Sequence, residues 1–172
     1  EQDLLKVKQM QPGLPHVYAE LIIIKMPRVK NKERIKEIAQ EGLRHSPFSV
    51  SIRLSYLTSL LPRWNGSIEE MEAVVKKTKK HIKDNPALSV VCGRVLAEKG
   101  DTYFFNREYS KAIQFYNEAL KHGETAFVLC QKSRALLFNG ERDGALTCVE
   151  RAIELRPSYQ LLHEMKVSLT SS

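Results

Sequence analysis

Cysteine is scarce in this chain: Cys92, Cys130 and Cys148 are the only three among 172 residues. An odd number leaves one thiol without a disulfide partner, and the spacings match no zinc-binding pattern. We therefore expect three small, buried hydrophobic side chains rather than a disulfide framework or a zinc site. Reduced thiols are typical of the cytoplasm, which favours a cytoplasmic protein. The chain begins with Glu1 rather than Met, so an extracytoplasmic location stays open if a leader preceded it.

Long hydrophobic runs and chemical motifs are also absent. No apolar run approaches the roughly 18 residues of a membrane-spanning helix, and the run Leu21–Ile24 is far shorter. There is no glycine-rich phosphate loop and no nucleophile motif, and the five histidines are scattered without a second ligand nearby on the same face. These absences predict a protein that has no transmembrane segment, metal or other cofactor and is not an enzyme. A catalytic site assembled from distant residues stays open as an alternative.

The sequence does contain a helical pattern that occurs twice between residues 100 and 157. Each copy has two segments with apolar residues at helical spacing around a short polar turn. A period in the low thirties with one helical hairpin per copy indicates stacked helical repeats. A shift of 33 residues aligns Tyr103 with Leu136, Ala112 with Ala145, Tyr116 with Val149 and Ala119 with Ala152.

These residues resemble the tetratricopeptide repeat family, whose repeats carry large apolar, aromatic and small residues at fixed positions. Small residues such as Ala112 and Ala119 allow helices to approach closely, and aromatic residues fill the remaining space. The resemblance implies an all-α fold, a right-handed stack of antiparallel helical hairpins with a C-terminal capping helix. It rests on Leu96, Gly100, Tyr103, Ala112, Tyr116 and Ala119 in one copy, and on Leu129, Leu136, Gly140, Ala145, Ala152 and Pro157 in the other.

The whole chain, residues 1–172, is interpreted as one domain of such repeats. Its last segment has apolar residues between polar ones, as in the solvating end helix that repeat arrays require. The predicted organisation is two degenerate repeats at 14–47 and 48–86, two clearer repeats at 87–124 and 125–157, and a capping helix at 158–170.

Local signals add detail to this organisation. The β-branched run Ile22–Ile24 also suits a strand, but no second strand-like run could pair with it, so we predict a helix. Ser46 is expected to cap the third helix, and Ser67 with Glu70 to form a capping box for the fourth. One long helix is expected from about residue 86 to residue 105.

One loop has a distinctive amino-acid sequence. Its sequence, from Pro62 to Ser67, resembles an uncharacterised bacterial family with a Pro-Arg-Trp-Gly-Gly-Ser signature over residues 33–86, with Asn65 in place of a glycine. The resemblance implies no activity. Trp64, the only tryptophan, either fills the gap between the third and fourth helices or is an exposed anchor for a partner.

The net charge of +7 lies mainly in the first half of the chain. Two basic clusters, Lys25–Lys36 and Lys76–Lys83, favour either a solvated surface or an anionic partner such as a phosphate backbone or a membrane surface. We favour the solvated surface because Glu69, Glu70 and Glu72 open the helix that the second cluster closes, as the helix dipole prefers. Nucleic acid is not expected, since no aromatic residue is interleaved to stack on a base.

The remaining candidate site is the groove that first helices of such repeats line. The resemblance implies that certain first-helix positions point into this groove, and aromatic residues beside Arg are typical of protein-binding hot spots. We therefore predict a protein or peptide partner, possibly an acidic one, and we expect about half of these positions to be core instead. The residues are Arg94, Ala97, Asp101, Phe104 and Phe105 in one repeat and Phe127, Cys130, Arg134, Leu137 and Phe138 in the next. Ala97 and Asp101 stand where carboxylate-binding relatives carry Lys and Asn, so that activity is not implied.

Overall fold

The structure is a computed structural model that describes residues 1–26 and 32–171. Within these residues it contains ten α-helices, two short 3-10 helices and no strand, which confirms the predicted all-α fold. The helices are α1 (Gln2–Met10), α2 (Pro15–Lys25), α3 (Lys32–His45), α4 (Val50–Ser59), α5 (Ile68–Lys79), α6 (Ser89–Phe105), α7 (Tyr109–Leu120), α8 (Ala126–Phe138), α9 (Arg142–Leu155) and α10 (Gln160–Thr170). The 3-10 helices cover Pro62–Trp64 and Pro86–Leu88.

Two compact units divide the chain, Glu1–Val95 and Leu96–Ser172. In the first unit, α2 packs against α3 and α4, and the Ile22–Ile24 run is helical as predicted. Gly42 of α3 lies so close to Tyr18 that an added Cβ would stand 2.7 Å from the ring. The buried side chains of this unit include Val17, Tyr18, Leu21, Ile22, Ile35, Ile38, Ala39, Ile52, Leu57, Leu61 and Met71.

In the second unit, α8 packs against α7 and α9, and α10 packs against α9. The positions aligned by the 33-residue shift form the core of this unit, which supports the predicted register. Those that are almost completely buried are Ala112, Tyr116, Ala119, Ala145, Val149 and Ala152.

Several local predictions need correction. Ser46 does not cap α4, which is the third helix of the sequence prediction. Its hydroxyl donates to the Gly13 carbonyl, and the Ser49 hydroxyl accepts from the Ile52 amide instead. The turn over Pro47 and Phe48 is not helical, so α4 begins at Val50.

The predicted capping box at the start of α5 forms only in part. Ser67 accepts from the Glu70 amide, as expected. The Glu70 carboxylate turns outward and bonds the Lys32 ammonium, at 2.7 and 2.8 Å from its two oxygens. An ion pair therefore replaces the second hydrogen bond of a capping box, in which the Glu70 side chain would accept from the Ser67 amide.

The predicted long helix differs from the structure, and Trp64 is only partly exposed. Asn85 accepts from the Ala87 amide as a cap, but the first turn is a 3-10 helix and α6 begins only at Ser89. Trp64 lies in the other 3-10 helix with 39% of its surface exposed. Both alternatives for Trp64, a side chain that fills the gap between helices and an anchor for a partner, therefore stay predictions.

Candidate partner-binding groove

The structure moves two of the predicted site residues into the core. Ala97 is 0% exposed and Asp101 is 5% exposed, so neither side chain lies on a surface that a partner could cover. The helical period placed both on the correct helix, but α7 and α8 pack over that part of α6. Their assignment as partner-binding residues is wrong for this reason. Arg94 belongs to the other compact unit, where it is half-buried.

Asp101 instead connects three helices. One of its oxygens accepts a hydrogen bond of 2.7 Å from the Tyr116 hydroxyl on α7 and another of 2.9 Å from the Gln131 amide on α8. The Gln131 oxygen then accepts from the Arg134 guanidinium at 3.2 Å. Burial, followed by this contact with Asp101, raises the pKa of Tyr116 well above its usual range. Tyr116 therefore remains a donor, and the chain of bonds runs from the buried hydroxyl to the exposed guanidinium.

Arg134 is held on its other side by an aromatic cluster. Its guanidinium lies 5.0 Å from the centre of the Phe104 ring, a cation–π contact. Phe138 packs edge-on to Phe104 and stacks on Tyr109, with ring centroids 5.7 and 5.4 Å apart. Arg134 has no acidic partner within the described parts of the chain, although it is exposed. The arrangement holds beside apolar rings a guanidinium that forms no ion pair with the described residues.

Arg134 and Phe138 border a cavity of about 650 Å³ between α8 and α10. Three of the five groove residues predicted on α8, Phe127, Arg134 and Phe138, line it, and all three are exposed. Cys130 and Leu137, which share the same predicted face of α8, also line it. The groove residues predicted on α8, the first helix of the second clear repeat, therefore form one surface.

The opposite wall was not predicted. It is formed by Tyr159, Leu161 and Met165, from the start and one face of α10. Leu161 and Met165 are four residues apart and thus share a face, a signal that the sequence contained. The sequence pattern assigned the whole helix to a solvating cap, whereas in the structure Leu162 and Leu169 are buried in the core and Leu169 also borders the cavity.

The cysteines are free thiols, as predicted. Burial raises the pKa of Cys92, Cys130 and Cys148, which makes all three poor nucleophiles near neutral pH. In the described ranges, no three His, Cys, Asp or Glu side chains are placed to share a metal ion. Nor does any described helix combine the length and apolar content needed to cross a membrane.

Comparison with known proteins supports repeats in the second half of the chain. Residues 93–121 and 128–159 match the family model described as tetratricopeptide repeat, and both segments fall on the helical hairpins described above. No curated protein sequence matches the chain significantly.

Solved structures of repeat proteins share the fold. A thermophilic tetratricopeptide repeat protein of Thermus thermophilus is 16% identical, with a TM-score of 0.57 over 98% of this chain and 88% of its own. A tetratricopeptide repeat protein of Parabacteroides merdae is 15% identical, with a TM-score of 0.58 over 99% of this chain and 63% of its own. The chain therefore has the α-solenoid fold of tetratricopeptide repeat proteins.

Proposed function

We propose that this chain is a non-catalytic protein-binding scaffold, and that the groove between α8 and α10 holds a peptide segment with apolar side chains and an acidic one. The observation that carries the proposal is Arg134, an exposed guanidinium without an acidic partner in the described residues, fixed beside a 650 Å³ apolar cavity. Tetratricopeptide repeats indicate protein interaction scaffolds in general, which agrees with this proposal.

The chemistry of the groove favours a peptide that carries a carboxylate. Phe138 is 60% exposed and Phe127 is 45% exposed, and large apolar surface of this kind is stabilised when a partner covers it. A guanidinium can donate two parallel hydrogen bonds to a carboxylate. Because Gln131 and Phe104 already hold Arg134 in place, binding costs less side-chain entropy than it would for a freely rotating arginine.

A peptide-display selection on the intact chain tests the proposal. Enriched peptides are expected to carry Asp or Glu beside apolar residues. Synthetic versions should bind Arg134→Gln and Phe138→Ala roughly tenfold or more weakly in fluorescence polarisation, because a lost charged hydrogen bond costs about 1.5 to 3 kcal/mol. A peptide with its acidic residue changed to Lys should regain affinity for Arg134→Glu.

Arg151→Gln is the matched control. Arg151 is also exposed, but it lies outside the cavity and already pairs with Glu124 and Glu154. Its replacement should leave peptide affinity unchanged. If Arg134→Gln and Phe138→Ala bind like the wild type while Trp64→Ala loses binding, the site lies on the Pro62–Ser67 loop and the groove assignment is wrong.

A further inference from the structure

A second cavity of about 650 Å³ lies in the first compact unit, between α3, α4 and α5. Its walls include apolar side chains from all three helices, Leu43, Tyr56, Leu60 and Val74 among them. A cavity of this size falls within the range of small-ligand sites, roughly 300 to 1,000 Å³, and such sites combine apolar walls with a few placed polar groups.

The charged side chain that is buried at this cavity is that of Arg53, in the first half of α4. Only 5% of its surface is exposed, yet its guanidinium makes one hydrogen bond, 3.0 Å from Nη1 to the Ser49 carbonyl. No carboxylate of the described residues forms an ion pair with it, whereas exposed Arg34 and Arg151 both have acidic partners. Burial lowers the pKa of Arg53.

The guanidinium nitrogens of Arg53 that make no hydrogen bond face accessible space. Among the described residues, no fully enclosed side-chain nitrogen or oxygen lacks a hydrogen-bond partner. The guanidinium nitrogens of Arg53 that make no hydrogen bond are therefore reached by solvent, and the side chain lines the cavity. A buried charge without a counter-charge costs folding free energy, so the protein carries a destabilising group that a bound anion would satisfy.

The acidic residues at the cavity do not supply that counter-charge. Glu33 pairs with Lys36 at 3.0 Å, and Glu70 pairs with Lys32 at 2.7 Å. Lys77 also lines the cavity and has no ion-pair partner in the part of the chain that the structure describes. The cavity thus combines apolar walls with two cationic groups that no protein carboxylate neutralises.

We propose that this cavity binds a carboxylate carried on an aliphatic body, with the Arg53 guanidinium holding the carboxylate and the apolar walls holding the body. A planar guanidinium matches the two oxygens of a carboxylate. The ligand is either a free aliphatic acid or the C-terminal carboxylate of a peptide that ends in an aliphatic residue, since both present the same chemistry. This site is separate from the α8–α10 groove and does not depend on the function proposed for it.

Titration calorimetry of the intact chain with decanoate and decanol tests the proposal. Decanoate is expected to bind saturably, and decanol at least roughly tenfold more weakly, because it offers no carboxylate to a buried charged donor. A peptide ending in leucine, with a free or an amidated C-terminus, distinguishes the two sources. If the free-acid peptide binds more tightly than decanoate, the ligand is a chain terminus; if decanoate binds more tightly, it is a free acid.

Variants of the cavity give the second part of the test. Arg53→Met should lose roughly tenfold or more in decanoate affinity, and Arg63→Met, which removes an exposed arginine outside the cavity, should not. The unliganded Arg53→Met protein should melt at the same temperature or higher, because an apolar side chain of similar size replaces an uncompensated buried charge. A purely structural arginine would instead lower the melting temperature without affecting a ligand.

A further pair of variants leaves Arg53 unchanged. Ala73 is exposed and lines the cavity, so Ala73→Phe should obstruct it and weaken decanoate binding, while Ala87→Phe, exposed outside the cavity, should bind normally. Equal affinity for decanoate and decanol, wild-type affinity in both Arg53→Met and Ala73→Phe, or displacement of decanoate by an equal concentration of inorganic phosphate would each overturn the proposal.

Discussion

Tyr116 is the buried end of the hydrogen-bond chain that reaches Arg134 at the groove. It is completely buried, its hydroxyl donates to Asp101, and Asp101 in turn accepts from Gln131 beside Arg134. A buried acceptor that loses its donor costs free energy, so these bonds stabilise one arrangement of α6, α7 and α8. The guanidinium on the surface is therefore positioned by a group in the core.

Tyr116→Phe should lower the free energy of unfolding by about 1 to 3 kcal/mol, because the ring is kept and only the hydroxyl to Asp101 is lost. Urea denaturation followed by circular dichroism measures this change. Tyr159→Phe is the control: Tyr159 is exposed at the groove, and removal of its hydroxyl should change stability by less than about 0.5 kcal/mol. Equal stability of the two variants would contradict the role of the bond.

The same variant should alter the pH dependence of stability. The folded pKa of Tyr116 lies above the ordinary value of 10.0, so the buried hydroxyl contributes fully below about pH 10 and the contribution is lost as pH rises above it. Unfolding free energy of the wild type should therefore fall in alkaline solution more steeply than that of Tyr116→Phe. Tyr18 and Tyr56, whose pKa values are also raised by burial, remain in both proteins as a common background.

At the scale of helices, close approach rather than helix propensity decides where glycine is needed. Gly100 of α6 faces the Tyr116 ring, and an added Cβ would lie 2.6 Å from Cε1 and 2.8 Å from Cδ1. The ring cannot move away easily because Asp101 holds its hydroxyl. Gly144 of α9 differs, since its added Cβ would meet Leu136 at an ordinary 3.6 Å.

Gly100→Ala should destabilise the protein by about 1 to 3 kcal/mol through overpacking, although alanine is the better helix former. Gly144→Ala should stabilise the protein by up to about 1 kcal/mol, because alanine has the higher helix propensity and its Cβ meets no clash at this position. Thermal unfolding of both variants beside the wild type gives the sign of each effect. A neutral or stabilising Gly100→Ala would mean that α6 and α7 are not locked at this contact.

At the scale of the whole chain, we interpret the surplus of positive charge as mostly a solvated surface. Residues 1–86 hold 16 basic against 10 acidic residues, and residues 87–172 hold 11 against 10. The described members of the first basic cluster are largely ion-paired, as in Lys25–Glu1 and Arg34–Glu37, while Arg28 and Lys30 lie outside the described residues. In α5, acidic residues stand in the first turn and lysines in the last, as the helix dipole favours.

Partner binding should therefore depend weakly on salt. A peptide held by one guanidinium and apolar contacts is expected to lose less than about tenfold in affinity between about 50 and 200 mM salt, because only one exposed charge pair is screened. Neutralising roughly six to ten phosphates would instead cost about a thousandfold or more over that range. Fluorescence polarisation of a selected peptide at both salt concentrations separates these outcomes, and a steep loss would favour the anionic-partner alternative.

The sequence by itself determined the helical class and the register of the second half. Its period decides which face of each helix is apolar, and small residues such as Ala112 and Ala145 then occupy close contacts, as the structure confirms. The face of α8 that carries Phe127, Arg134 and Phe138 followed from the same period, and its role in binding stays a prediction. The division into four repeats and one domain also stays a prediction.

Only the tertiary structure decided which of these faces stay open. Asp101 and Arg134 occupy equivalent repeat positions, yet one is buried beneath α7 and α8 while the other is exposed beside α10. Likewise, nothing in the local pattern of α4 showed that Arg53 would be enclosed without a carboxylate. Helical period is a property of neighbouring residues along the chain, whereas exposure and charge pairing depend on helices that come from distant parts of it. The cover over a side chain therefore becomes known only when the helices are assembled.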